Sequence, residues 1–276
     1  MSLALFIAAS ISSATIAPIA PIALIAHSSD PILACPSGKS DDECSVQDVI
    51  NAISIPKDLN HITTGCIYEY MGHCASTAKG LILGAPNHAP AIWVQMLLLP
   101  KDGPQVQMTI LLDLTLLDEP KIAGIAQSSN FLNPPYQIYD DDQPTLIHIE
   151  GRQAGTAYGN ADMLYQYKNA AWRPVDIISW IKEAEENIPE GFEMRKDIKY
   201  NFREMMASSL IWRDGDGNCC ATGGDVYFDF DIKGDMLSPV AMSFNEAAKG
   251  APQTKHIMLS GHSDKTEAAN DLNVNK

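Results

Sequence analysis

The segment DVYFDFDI, residues 225–232, constrains the fold more than any other feature of the chain. Apolar side chains recur at every second position, namely at Val226, Phe228, Phe230 and Ile232. Successive side chains of a β-strand point to opposite faces, so this period predicts a strand with one buried face and one solvated face. Such a strand requires partner strands and a second layer over its apolar face.

Several apolar runs upstream supply the partner strands. The runs AIWVQMLLL and VQMTILLDLTLL flank Lys101–Pro104, a segment whose Asp-Gly-Pro composition is typical of a turn. Residues 161–177 predict a hairpin with Asn169 in its turn. The shorter runs TLIHIEG and ASSLIW add two further strands. These segments together indicate a mostly antiparallel sheet.

Two helices are expected beside the sheet. The longer one spans residues 177–188, where apolar residues recur at helical spacing between a cap at Asp176 or Ser179 and a stop at Pro189. The shorter one begins at Ser45, with Asp48 three residues later as in a capping box. We therefore predict an α+β fold: a mostly antiparallel β-sheet with a covering helix and a small disulfide-tied N-terminal helical segment.

The first 26 residues are interpreted as a signal peptide. The only charged side chain in the first 38 residues is Asp30, and the apolar start is followed by small residues that suit cleavage. A retained membrane anchor is one alternative, although Pro18 and Pro21 interrupt the apolar run. A lipoprotein site at Cys35 is another.

The remaining chain divides by composition into three parts. Residues 27–75 form a cysteine-bearing helical segment, and residues 76–246 form a β-rich domain. Residues 247–276 are small, polar and aperiodic, which predicts a disordered tail. Mature protein would thus begin near residue 27 and would not insert into a membrane after signal cleavage.

Six cysteines fit an exported chain, because an even count in an oxidising compartment favours disulfides. They are Cys35, Cys44, Cys66, Cys74, Cys219 and Cys220. Short spacing makes Cys35 with Cys44 and Cys66 with Cys74 the first expectation. The alternative is a zinc site assisted by His61, His73 or His88, which are otherwise interpreted as surface residues.

The neighbours Cys219 and Cys220 leave two pairings open. Adjacent Cα atoms lie about 3.8 Å apart, whereas disulfides prefer roughly 4.4–6.8 Å. A vicinal bond would therefore strain the peptide and reduce easily, which allows a rigid surface or a redox switch. In the other reading, one or both cysteines pair elsewhere.

The same stretch, DGDGNCCATGGD, partly matches a calcium loop. Oxygen donors occupy ligand positions of the EF-hand pattern, namely Asp214, Asp216, Asn218, Thr222 and Asp225. Cys219 stands where that pattern requires glycine, and Asp225 stands where it requires glutamate. Both a calcium site and a plain Gly- and Asp-rich turn remain open.

The motifs LIWRDGDGNCCATGGDVYF, WRPVDIISWI and IPEGF resemble a pattern in uncharacterised exported bacterial proteins. The shared features are a Trp-rich hairpin, a short helix and an N-C-C-x-x-G-G turn, over roughly residues 144–244. The resemblance implies export and a β-rich fold, and it implies no activity.

Catalytic motifs are not apparent in the sequence. His148 is interpreted as a half-exposed strand residue rather than a general base, and the acidic run at 139–144 as a solvated turn. Arg152, Arg173 and Arg213 would form an anion-binding set only if the fold brought them together.

The formal net charge of −15 disfavours nucleic acid and anionic membranes as partners. We predict a periplasmic or secreted, non-catalytic module without an obligatory cofactor, which binds a protein or a small ligand. The alternatives are a periplasmic hydrolase whose site is scattered along the chain and a calcium-stabilised structural domain.

Overall fold

A computed structural model describes residues 32–39, 43–56, 65–139, 145–155, 159–195, 198–247 and 253–259. The proposed signal peptide at 1–26, His61 and residues 140–144 of the acidic run lie outside the described residues. The described chain is dominated by antiparallel strands, which confirms the predicted fold class at that level.

The N-terminal sheet is a four-stranded antiparallel meander in the order β1-β2-β3-β4. Its strands are β1 (His73–Ile82), β2 (Ala91–Leu99), β3 (Val106–Asp113) and β4 (Lys121–Ser128). The two apolar runs recognised in the sequence are β2 and β3, with Lys101–Pro104 between them as expected. Their side chains are buried almost continuously, because both faces of this sheet are covered.

The central sheet has the order β10-β9-β7-β6, and a two-stranded β5-β8 pair lies apart from it in the pairing. The strands of this region are β5 (Phe131–Leu132), β6 (Tyr136–Ile138), β7 (Leu146–Ile149), β8 (Gly151–Arg152), β9 (Met163–Lys168) and β10 (Ala171–Val175). The predicted hairpin is β9-β10, and Asn169 and Ala170 form its turn with φ angles of +52° and +55°. Two successive positive φ angles are typical of a type I′ turn, which matches the twist of the flanking strands.

The C-terminal sheet runs in the order β11-β13-β14-β15-β16, and β12 also pairs with β13. Its strands are β11 (Phe192–Glu193), β12 (Lys199–Asn201), β13 (Met206–Arg213), β14 (Gly224–Lys233), β15 (Met236–Glu246) and β16 (Gln253–Met258). The alternating segment is β14, in which Val226, Phe228 and Phe230 are buried while Tyr227 and Asp229 are exposed. The prediction from its two-residue period is confirmed.

The three sheets stack with the central sheet in the middle. Along β7, Ile147 and Ile149 pack against the N-terminal sheet, whereas Leu146 packs against residues of the C-terminal sheet. The outer face of the N-terminal sheet is covered by residues of the ranges 32–39, 43–56 and 65–70. The core therefore forms three apolar layers rather than the single layer that one sheet and one helix would give.

The N-terminal segment contains the helix α1 (Val46–Asn51), which begins at the capping box predicted from Ser45 and Asp48. The Asp48 backbone N–H donates to the Ser45 hydroxyl, and the Asp48 carboxylate accepts from the Ser45 backbone N–H. Tyr68 ties the segment together by donating from its hydroxyl to the Ala34 carbonyl at 2.8 Å.

The second helix, α2 (Trp180–Glu185), is much shorter than the predicted span of 177–188. Asp176 stands at its start, where its carboxylate accepts from the backbone N–H groups of Ile178 and Ser179. Trp180 is buried against Phe228 and Phe230 of β14, and Ala184 is buried beside it. A helix of six residues covers only a small part of a sheet this wide.

The predicted disordered tail, residues 247–276, is wrong for residues 253–258. These residues form β16, which pairs with residues Ala241–Glu246 of β15. Four of its six residues are polar, so hydrophobic periodicity gave no signal for a strand. Its stabilisation comes from backbone hydrogen bonds to an existing sheet edge.

Candidate functional site

A cavity of about 240 Å³ lies between the central sheet, the C-terminal sheet and α2. Its apolar lining consists of Ile177, Ile178, Ile181, Met194 and Ile198. Its polar lining consists of Gln153, Asn160, Asp162, Arg195 and Tyr200, beside Gly159. The volume exceeds the roughly 150 Å³ of an apolar protein cavity that holds benzene, so a small organic molecule fits.

The start of α2 shapes the apolar side of the cavity. Asp176 directly follows β10 and fixes the turn into the helix, which places Ile177, Ile178 and Ile181 along the lining. Met194 and Ile198, which follow the six-residue helix α2 in the chain, complete the apolar lining. The residues before and after this short helix therefore form one side of the cavity together with it.

A buried network, which we call the polar network, adjoins the cavity and consists of Tyr136, His148, Asn160 and Asp162. His148 Nε2 lies 2.8 Å from Asp162 Oδ1, and Tyr136 Oη lies 2.7 Å from His148 Nδ1. Asn160 Nδ2 donates to Asp162 Oδ2 at 2.7 Å. His148 and Asp162 are 2% and 3% exposed, whereas Tyr136 is 43% exposed. The network therefore runs from the cavity through the interior to the surface.

His148 is buried, and its interpretation as a half-exposed residue is wrong. It lies on the face of β7 that meets the C-terminal sheet, and its ring packs edge-on against Phe202 at 4.7 Å between centroids. One sheet with one covering helix, as predicted from the sequence, would leave this face partly open. The third layer closes it.

The protonation state of Tyr136 defines what the network can do. Burial, together with the charges of Glu150 and Asp162, raises the pKa of Tyr136 above its ordinary value. The neutral phenol of Tyr136 donates a hydrogen bond to His148 Nδ1, and the Nε2–H of His148 donates a hydrogen bond to Asp162. Among the described residues, His148 has Tyr136 and Asp162 as its side-chain hydrogen-bond partners, so its ring bridges these two groups.

The Asp-rich loop, residues 214–223, is closed by Asp216. Its carboxylate accepts from the Arg213 backbone N–H at 2.7 Å, from the Thr222 backbone N–H at 2.8 Å and from the Thr222 hydroxyl at 2.9 Å. The hydrogen bond from the Arg213 backbone is the main cause of its lowered pKa, and the bonds from Thr222 add to it. Asp216 thus stabilises a tight loop as a hydrogen-bond acceptor.

The other predicted calcium ligands are placed separately. Asn218 Oδ1 accepts from Arg195 at 3.2 Å, and the Asp214 backbone N–H donates to the Gly191 carbonyl. Asp225 lies in β14 opposite Leu210 and Asn245. Within the described ranges, no three His, Cys, Asp or Glu side chains are arranged to hold a metal ion. Calcium binding by this loop stays a prediction.

All six cysteines are joined in disulfides. Cys35 is bonded to Cys44 and Cys66 to Cys74, which are the two pairs expected from their spacing. Cys219 is bonded to Cys220, and both residues are exposed at the end of the β13-β14 hairpin. The sulfur atoms are thereby committed to covalent bonds, which leaves no thiolate ligands for the zinc alternative.

Two other expectations from the sequence are changed by the fold. His88 is not a surface residue, because it is 4% exposed and packs against Tyr167 and Trp172. Arg152, Arg173 and Arg213 lie in β8, β10 and β13, which belong to three different sheets. Arg152 donates to the Ile198 carbonyl and Arg213 to Glu246, so the three do not form one anion-binding set.

Sequence reasoning missed the residues that line the cavity. Nothing in the sequence distinguishes Asn160, and Asp162 falls in the segment 161–177 that predicts a hairpin. Asn160 is joined to Ile198 by hydrogen bonds in both directions across 38 positions of chain. No local period encodes a contact of that range.

No protein-family model matches the chain, and no curated protein or solved structure was found to match it. The resemblance to uncharacterised exported bacterial proteins therefore stays a prediction. Each of the two helices in the described chain has six residues, and neither has the length and apolar character needed to cross a bilayer.

Proposed function

We propose that the protein is an exported, non-catalytic module that binds a small, largely apolar ligand in the cavity beside the polar network. The observation that carries this proposal is the row of Ile177, Ile178, Ile181, Met194 and Ile198 along one side of the cavity. Apolar surface removed from water contributes roughly 25 cal/mol per Å², so a ligand that fills this lining gains most of its affinity there.

The binding of a small ligand is favoured over a protein partner by how the apolar surface is distributed. Exposed large apolar side chains are spread along the chain in small groups, for example Leu81 and Leu83 at the end of β1 and the adjacent Leu116 and Leu117 after β3. Small groups of exposed apolar residues are normal in monomeric proteins, whereas a cavity lined by several isoleucines is typical of a ligand site.

The export part of the proposal is supported by the disulfides and by the apolar leader. Three disulfides are compatible with an oxidising compartment, and the leader has the composition of a signal peptide. Mass spectrometry of the protein from its own cells tests this part. A mature chain that starts near residue 27 is expected, and a cytosolic chain with an intact leader would contradict export.

The binding part is tested by titrating the protein with straight and branched alcohols of four to eight carbons. For ligands of this size we expect dissociation constants of roughly 10 µM to 1 mM. Shifts in the side-chain methyl NMR signals of the lining isoleucines report occupancy of the cavity itself.

A cavity-filling variant provides the specific control. Ile181→Phe places a ring in the cavity and should abolish binding, and Ile178→Phe serves if that variant does not fold. Leu210→Phe is the matched control, because Leu210 is exposed on β13 and does not line the cavity. Equal binding by the filled and control variants would refute the proposed site.

A further inference from the structure

In the cavity lining, most hydrogen-bond donors already have protein partners, whereas several acceptors can still accept a hydrogen bond. This difference indicates the chemistry of the ligand, and the inference rests on the proposed function. Most of the donor hydrogens are already committed to protein acceptors. Asn160 Nδ2 donates to Asp162 Oδ2 and to the Ile198 carbonyl, which uses both of its hydrogens. Gln153 Nε2 donates one of its two hydrogens to the Gln127 carbonyl, and Gln153 Oε1 accepts twice from Ser129.

Arg195, the cation of the cavity lining, is also committed. Its Nε and Nη2 atoms contact Glu193, while Nη1 donates to the Asp216 carbonyl at 3.0 Å and to Asn218 at 3.2 Å. Its guanidinium also lies over the Trp212 ring, 5.8 Å from the centroid. These contacts hold Arg195 against the Asp-rich loop, so it is poorly placed to recruit an anionic ligand.

The acceptors retain free capacity. Each carboxylate oxygen of Asp162 has two lone pairs and one described partner. Oδ1 is bonded to His148 Nε2, and Oδ2 accepts from Asn160 Nδ2. Tyr200 donates its hydroxyl proton to the Ile177 carbonyl at 2.7 Å, which leaves the hydroxyl oxygen as an acceptor. Burial raises the pKa of Tyr200, so this hydroxyl stays protonated at neutral pH.

We propose that the ligand is a small organic amine in its protonated form. Its ammonium group donates to the Asp162 carboxylate, and its hydrocarbon part packs on Ile177, Ile178 and Ile181. The buried carboxylate favours a cation over a neutral group, because a charge held in an apolar surrounding is stabilised by an opposite charge at hydrogen-bond distance. An anionic ligand would place two negative charges in one cavity.

Three molecules of nearly equal shape test this inference: 3-methylbutan-1-amine, 3-methylbutan-1-ol and 3-methylbutanoate. Isothermal titration calorimetry at pH 7 should show the amine binding about tenfold more tightly than the alcohol, as expected for a charge-assisted hydrogen bond. The carboxylate should not bind measurably. Equal or tighter binding of the alcohol or the carboxylate would overturn the amine assignment and leave the proposed apolar site standing.

Asp162→Asn supplies the matched variant. It should lower the affinity for the amine to about that for the alcohol, whereas Asp229→Asn, which removes an exposed charge from β14, should change the affinity for neither ligand. If Asp162→Asn does not fold, the ranking of the three ligands on the unaltered protein decides alone. Failure of all three ligands to bind would refute both the amine and the proposed function.

Discussion

The two faces of the central sheet are packed differently. The face toward the N-terminal sheet is filled by aromatic rings, with Tyr165 fully buried and Trp172 in edge contact with Tyr167 at 5.3 Å. The face toward the C-terminal sheet carries the polar network and the cavity. Both faces belong to the same strands, so their difference arises from what covers each of them.

Close backbone approach explains the filled face. Gly124 of β4 lies against Tyr165, and a Cβ atom at that glycine would stand 2.0 Å from the Tyr165 hydroxyl oxygen. Because Gly124 has no side chain, the Tyr165 ring fits against the backbone of β4. On the other face, a helix of only six residues leaves space that no ring occupies. The comparison teaches that one face is packed throughout, whereas the other combines the apolar packing around Trp180 and Phe228 with a polar network and an unfilled space.

The largest expected effect comes from removing one tryptophan on each face. Trp172 and Trp180 are both 3% exposed, so Trp172→Ala and Trp180→Ala should each lower the free energy of unfolding by about 3–5 kcal/mol. Only Trp180→Ala should also weaken binding of the alcohols, because Trp180 holds the helix that lines the cavity. Chemical denaturation measures the loss of stability, and ligand titration measures the loss of binding. Equal loss of binding in both variants would contradict the claim that only the face toward the C-terminal sheet contributes to the cavity.

A smaller effect is expected from filling the space at Gly124. Gly124→Ala should lower the free energy of unfolding by about 1–3 kcal/mol, because the added methyl group collides with a ring that is enclosed on all sides. Gly65→Ala is the control, since a Cβ atom there meets nothing within 4 Å. Thermal unfolding of both variants gives the result. A Gly124→Ala protein as stable as the control would show that this face is not tightly packed.

The smallest effect separates two tyrosines on the two faces. Tyr136→Phe removes the hydrogen bond to His148 and should cost about 0.5–1.5 kcal/mol of unfolding free energy. Tyr165→Phe should be neutral or stabilising, because the Tyr165 hydroxyl has no hydrogen-bond partner among the described residues. Denaturant titration resolves the difference, and a larger loss for Tyr165→Phe than for Tyr136→Phe would reverse the assignment of polar and apolar faces.

The sequence predicted those elements whose signal is local. The alternation of β14, the turn at Asn169, the capping box at Ser45 and the two closely spaced cysteine pairs each depend on residues within about ten positions of one another. Chain geometry over such distances follows from backbone preferences and side-chain periodicity. These features were therefore predicted with little reference to the rest of the fold.

Layering and the cavity depend on contacts that the sequence does not encode locally. His148 is buried because a third sheet lies over it, and the cavity lining includes Asn160 and Ile198, which are hydrogen-bonded across 38 positions of chain. Neither the number of layers nor the length of α2 follows from periodicity, since Ile188 continues the apolar pattern beyond the last helical residue. Tertiary packing decided those outcomes.

The strand β16 has a practical consequence for anyone who shortens this chain. Ending it at Ala247, where the polar composition invites truncation, would uncover the backbone N–H and C=O groups of β15 that now pair with residues 253–258. An open strand edge is a template for intermolecular pairing, so the shortened protein would be prone to aggregation during expression and concentration. Residues 253–258 thus cover the edge of β15 and leave a strand of mostly polar sequence at the edge of the sheet.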